Sequence, residues 1–151
     1  MKLPKYPLAS SDKLMIFEFI SEGQKGLIHK LVQYQPTNLK DVYNLAFGDK
    51  NQTTGGIDDT VISNNGDSEK VLATVVATVY AFTDKYPDAW IYVTGSTKSR
   101  TRLYRMGITK FLPEVDKDFD VLGEQNEDWE TFRKNIEYEG FLVRRKRINN
   151  H

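Results

Sequence analysis

Residues 14–35 read LMIFEFISEGQKGLIHKLVQYQ, and this stretch decides the fold class. Ile16, Glu18 and Ile20 alternate with Phe17 and Phe19, the period-two pattern of a strand with unlike faces. The segment EGQKG supplies a turn, and LIHKLVQYQ continues extended, so the whole reads as a β-hairpin. A chain that opens on a hairpin starts an antiparallel sheet, because parallel strands need a long crossover between them.

Outward from the hairpin, VYNLAFGD (42–49) and IDDTVISN (57–64) read as a second strand pair, joined by a loop rich in Asn, Thr and Gly. The period then changes. Val71, Leu72, Val75, Val76, Val79 and Phe82 recur at helical spacing after an N-cap at Asp67 or Ser68, and Tyr86-Pro87 ends the run. Its valines lower intrinsic propensity, so this long helix depends on burial against a sheet. Trp90–Thr97 reads as a short strand. A second, shorter helix is expected from Thr97 or Ser99 to about Gly107, with irregular chain around Pro113. FDVLGEQN reads as a strand, WETFRKNI as a short helix or loop, and YEGFLVRRK as a final strand with Phe141 and Val143 on one face. The expected class is α+β with a mainly antiparallel sheet, β-β-β-β-α-β-α-β-β. One domain is expected over residues 1–148, with 1–12 and 147–151 loose.

Lysine plus arginine and aspartate plus glutamate number 21 each, so the net charge is zero, yet the charges fall in blocks. GSTKSRTRLYRMGITK (95–110) holds Lys98, Arg100, Arg102, Arg105 and Lys110 with no acid. Residues 113–130 hold eight acids against Lys117 alone, and Arg144–Arg147 are basic again. On a helix Lys98, Arg102 and Arg105 share a stripe, with Ser99, Leu103 and Met106 on the neighbouring, docking face. With Ser96 and Thr97 at its start, such a helix presents backbone N–H groups and guanidinium forks to phosphate. Tyr104, and Trp90 or Tyr92 if they face outward, are candidates to stack on bases. The bland alternative is an internal charge seam in which these cations pair with the acids of 114–130.

Other chemistry is thinly represented. With no cysteine there is no disulfide, thiolate nucleophile or Cys-based metal site, and the cytoplasm is the expected compartment. No apolar run suits export or a membrane span. No phosphate-binding glycine motif opens a helix, so an NTPase is not indicated. The cluster Asp49, Asn51, Asp58, Asp59, Asn64, Asn65, Asp67 and Glu69 lacks calcium-loop spacing and reads as turn chemistry rather than a metal site. His29 has no nucleophile at motif spacing. No cofactor is expected, and the residues favour a non-enzyme.

The blocks FEFISEGQKGLI, VYNLAFGD, SNNGDSEKVLATV, YPDAWIYVTGST, SRTRLYRMGI and YEGFLVRRK resemble an uncharacterised domain-of-unknown-function family of small bacterial proteins, mainly from Bacteroidetes. The resemblance carries no catalytic residue. It suggests genes set beside very short neighbours, as in toxin–antitoxin pairs. The expected function is a module binding RNA or single-stranded nucleic acid through Ser96, Thr97, Lys98, Arg100, Arg102, Tyr104, Arg105 and Lys110, aided by residues 144–147. The alternatives are an adaptor for a small protein partner and a metal-independent ribonuclease of toxin type, with Tyr104 or His29 as acid or base.

Overall fold

The computed structural model describes residues 4–58, 64–95 and 97–147. Among them run eight strands and two helices: β1 (Ala9–Ser10), β2 (Ile16–Gly23), β3 (Gly26–Pro36), β4 (Val42–Asp49), α1 (Ser68–Lys85), β5 (Trp90–Val93), α2 (Lys98–Val115), β6 (Phe119–Gln125), β7 (Asp128–Thr131) and β8 (Gly140–Arg145). Pairing is mainly antiparallel, and the class is α+β as the opening hairpin implies. No helix among the described residues is long and apolar enough to cross a membrane.

The chain forms two compact units, the first of residues 1–35 and 45–85, the second of 36–44 and 86–151. In the first, β2 pairs with β3 in the register Phe17↔Val32, Phe19↔Lys30, Ser21↔Ile28, closed by a tight turn between Gly23 and Gly26. Opposed residues share a sheet face, so Phe17, Phe19, Val32 and Tyr34 all turn inward, as do Leu45 and Phe47 of β4. Onto this face α1 lays Val71, Thr74, Val75, Thr78 and Phe82, an i, i+3, i+4, i+7 stripe. Tyr34 stacks on Phe82 with ring centres 4.1 Å apart, and its hydroxyl meets Thr78 Oγ1 at 2.8 Å. Thr74 and Thr78 enter the core because their hydroxyls donate back to the carbonyls of Lys70 and Val75.

Asp67 stands at the expected N-cap position, immediately before α1, and its carboxylate also accepts from Tyr6 (2.5 Å) and Ser21 (2.6 Å). Asn65, wholly buried, accepts from the Lys25 amide and donates to Ser21 and the Gly26 carbonyl. These bonds fasten the start of α1 to the hairpin turn. The turn-chemistry reading is supported here, since Asn51 Oδ1 accepts from the amides of Thr53 and Thr54 and Asn64 Oδ1 from that of Gly66. Residues 1–12, expected to be loose, include Tyr6, which is buried, and β1, which pairs with β2. Of the strand expected at 57–64, Ile57 forms one bridge to Lys50, while 59–63 lie outside the described residues.

The second unit is a four-stranded antiparallel array in the order β5-β8-β6-β7. Ile91, Val93, Phe119, Val121 and Phe141 are buried on one side, and Phe132, Tyr138, Tyr104 and Phe111 are buried in the same unit. Three expectations need correction. The second helix is as long as the first, 18 residues each, because Gly107 keeps helical φ and is buried rather than capping the end. Pro113 falls in its last turns, where it removes a single N–H. WETFRKNI does not begin as helix or loop but as β7, joined to β6 by a two-residue turn in which Asn126 and Glu127 take φ of 53° and 66°. Positive φ at both central residues matches the right-handed twist of the flanking strands.

Candidate anion-binding site

The site is built where β5 hands over to α2. Thr97, extended at φ −134° and ψ 162°, caps the helix, its hydroxyl accepting from the Arg100 amide at 3.2 Å. Thr101 ties the approach down: its hydroxyl accepts from the Gly95 amide (3.1 Å) and donates to the Thr97 carbonyl (3.1 Å). Gly95 is required here, since a Cβ would lie 2.4 Å from Arg100 Cβ and 2.5 Å from the Thr101 nitrogen. With no acid in its first turn, α2 presents unopposed N-terminal dipole charge.

Beside this start lies a cleft of about 580 Å³ lined by Thr94, Gly95, Thr97, Lys98, Ser99, Thr101, Arg102 and Arg105, with Glu137, Tyr138 and Glu139 on its other wall. The expected stripe of Lys98, Arg102 and Arg105 is therefore brought together on one cavity. Lys98 and Arg102 are exposed and, among the described residues, make no ion pair. Arg105 is half-buried and donates to the Ile136 carbonyl at 3.3 Å, which aims it along the cleft wall. Arg100 and Lys110 do not line the cleft. Ser96 lies outside the described residues.

Tyr104 is corrected from stacking candidate to core residue. It is buried, and burial pushes its hydroxyl pKa up to about 12, with Arg100 pulling weakly the other way. The docking stripe of α2 is Tyr104, Gly107 and Phe111, and Met106, placed on that face by the shorter helix, is 57% exposed. Extending the helix brings Phe111 onto the wheel, and two aromatic rings outweigh Leu103 and Met106 in buried apolar area. His29 is an exposed residue of β3 in the first unit and lines no part of this cleft.

Several acids of the acidic block pair outside α2. Of the acids in 113–130, Asp120 meets Arg144 (3.4 Å) and Glu130 meets Arg133 (3.1 Å). Glu124 accepts from the Tyr92 hydroxyl (3.0 Å). The basic end also makes contacts within its own unit. The Arg144 guanidinium lies 4.2 Å from the Trp90 ring centre and that of Arg145 5.2 Å from Phe119. Lys146 Nζ donates to the Asp116 carbonyl (2.7 Å), and Arg147 meets Asp88 (3.3 Å). Residues 144–147 thus make contacts within their own unit, with Lys146 and Arg147 exposed.

The far wall is set by Tyr138. Its ring lies against Phe132 and Phe141, and a Cβ on Gly123 would come within 2.4 Å of it. Its hydroxyl donates to Glu130 (2.7 Å) and accepts from the Arg133 amide (3.1 Å). Burial, then the Glu130 bond, raises the Tyr138 pKa, and bonds from Tyr138 and Arg133 hold the Glu130 carboxyl below its usual range. These contacts anchor Tyr138, and with it the segment of Glu137 and Glu139. Sequence reasoning missed it, because the non-local pairing of β8 with β5 is what carries it to α2.

The family model for a family of unknown function, DUF6934, matches residues 2–146, and the chain belongs to that family. No curated protein and no solved structure matches it.

Proposed function

We propose that the protein binds RNA or single-stranded nucleic acid, seating backbone phosphate in the cleft at the start of α2. One observation carries the reading: Lys98, Arg102 and Arg105 converge on one polar cavity at a helix N-terminus, and none of the three makes an ion pair among the described residues. Phosphate suits such a site because first-turn amides and guanidinium forks both donate to its oxygens. The cavity is open and polar rather than apolar and enclosed, which fits a strand passing across it better than a small cofactor held inside.

The test is binding of a mixed-sequence single-stranded RNA, followed by fluorescence anisotropy across a range of salt. Three phosphate contacts give a log–log slope of about −2, at roughly 0.7 per contact. No binding at low salt, or binding without salt dependence, overturns the reading. Glu137 and Glu139 oppose a polyanion on the facing wall. Replacing both by Gln is expected to tighten RNA binding several-fold at low salt, and the gain should fade as salt screens the cleft. A loss of binding would instead give these carboxylates a direct role in holding the strand.

A further inference from the structure

The second unit's sheet ends at the cleft, and its face away from the core carries three aromatic side chains. In register, Tyr92 faces Leu142, which faces Leu122, while Glu124 faces Gly140 on one side and Trp129 on the other. Opposed side chains share a face, so Tyr92, Glu124 and Trp129 stand together on the side away from the core. The contacts agree: Tyr92 donates to Glu124 at 3.0 Å, and its ring meets Trp129 edge-on, centres 5.9 Å apart at 77°. Gly140 leaves room for this arrangement, since a Cβ there would lie 2.8 Å from the Tyr92 hydroxyl oxygen. The same sheet end forms the cleft. The Glu139 amide donates to the Glu124 carbonyl (2.8 Å), and Thr94, two residues beyond Tyr92, donates to the Glu139 carbonyl (3.0 Å). From β5 across β8 and β6 to β7 is three strand spacings, about 14 Å.

Resting on the phosphate-binding reading, we propose that Trp129, braced by Tyr92, is a stacking platform for a base of the single strand whose phosphates occupy the cleft. Of the three aromatic side chains on this face, Trp90 is covered by the Arg144 guanidinium and Tyr92 is spent on Glu124 and Trp129. Trp129 is 40% exposed on a short edge strand and is the one ring of the three presented to a ligand. Every base has a face that stacks, so the platform adds affinity without requiring sequence. Burial and the Glu124 bond raise the Tyr92 pKa to about 12, so the brace stays protonated throughout the neutral range.

The experiment compares two probes, a short single-stranded RNA and an abasic strand of equal length, against wild type, Trp129→Ala, Trp129→Phe and Arg102→Ala. Wild type should prefer the RNA. Trp129→Ala should lose about five- to 150-fold in RNA affinity, the contribution of one stacked base, and nothing toward the abasic strand. Trp129→Phe should recover most of the loss, and Arg102→Ala should weaken both probes alike. In a Trp90→Phe background Trp129 is the sole tryptophan, and its fluorescence should be quenched by RNA but not by the abasic strand. Equal, salt-dependent binding of both probes to wild type and Trp129→Ala overturns the platform and leaves the cleft standing. Binding of neither overturns both. A concentration-dependent dimer that Trp129→Ala abolishes assigns the patch to a second copy of the chain and also overturns the proposal.

Discussion

Asp49→Ala should destabilise the protein by about 3–5 kcal/mol, read as a lower urea midpoint at unchanged m-value. Asp49 ends β4 and its carboxylate is ion-paired with Lys30 of β3, whose side chain is 1% exposed. The pair sits on the inward face of the first unit's strands, beside Phe19, which is opposite Lys30 in register and stacks between Tyr6 and Phe47. Removing the carboxylate takes the ion-pair partner from an ammonium buried beside aromatic rings, and a buried charge that loses its counter-ion costs far more than the pair contributes in place. Against a total stability of about 5–15 kcal/mol that loss is a large share. The decisive control is the double replacement Lys30→Met with Asp49→Leu. It removes both charges, keeps volume, and should be near neutral or more stable than wild type. If Asp49→Ala alone were neutral, the Asp49 carboxylate would not be what holds the buried ammonium.

That pair also marks where the sequence could be read further than its hairpin pattern suggests. Lys30 has the same parity as Val32 and Tyr34, and Asp49 the same parity as Leu45 and Phe47. One cation and one anion, each on an otherwise inward apolar face of neighbouring strands, is the signal of a buried ion pair. The hairpin, α1 and β8 were legible because alternation and helical periodicity act within one segment. β1 was not, because two residues show no alternation and their pairing partners, Phe17 and Glu18, lie well along the chain. β7 was hidden by its turn, since Glu at positive φ is not a residue that announces one. In the candidate site, the cationic stripe followed from spacing along α2. The facing wall of Glu137, Tyr138 and Glu139 did not, since no local rule places β8 between β5 and β6.

Replacing Arg102 and Arg105 together by Ala should raise the Kd for single-stranded RNA about 100-fold at low salt, near tenfold for each charge-assisted contact. The salt slope should fall by about 1.4, two contacts at roughly 0.7 each. The two arginines differ in a way that sharpens the test. Arg102 is exposed and has no ion pair among the described residues, so Arg102→Ala alone should leave thermal stability unchanged while removing its share of binding. Arg105 also bonds the Ile136 carbonyl, so its loss frees the segment that carries Glu137 and Glu139 and should cost some stability as well. Lysine at 102 keeps the charge and loses the fork. Arg102→Lys should therefore preserve the salt slope but recover only part of the affinity. If the double alanine variant bound RNA as wild type does, with the same slope, the cleft would not be where phosphate sits. The cations of α2 would then be a solvated face, their convergence with Glu137 and Glu139 serving to balance charge across the cavity.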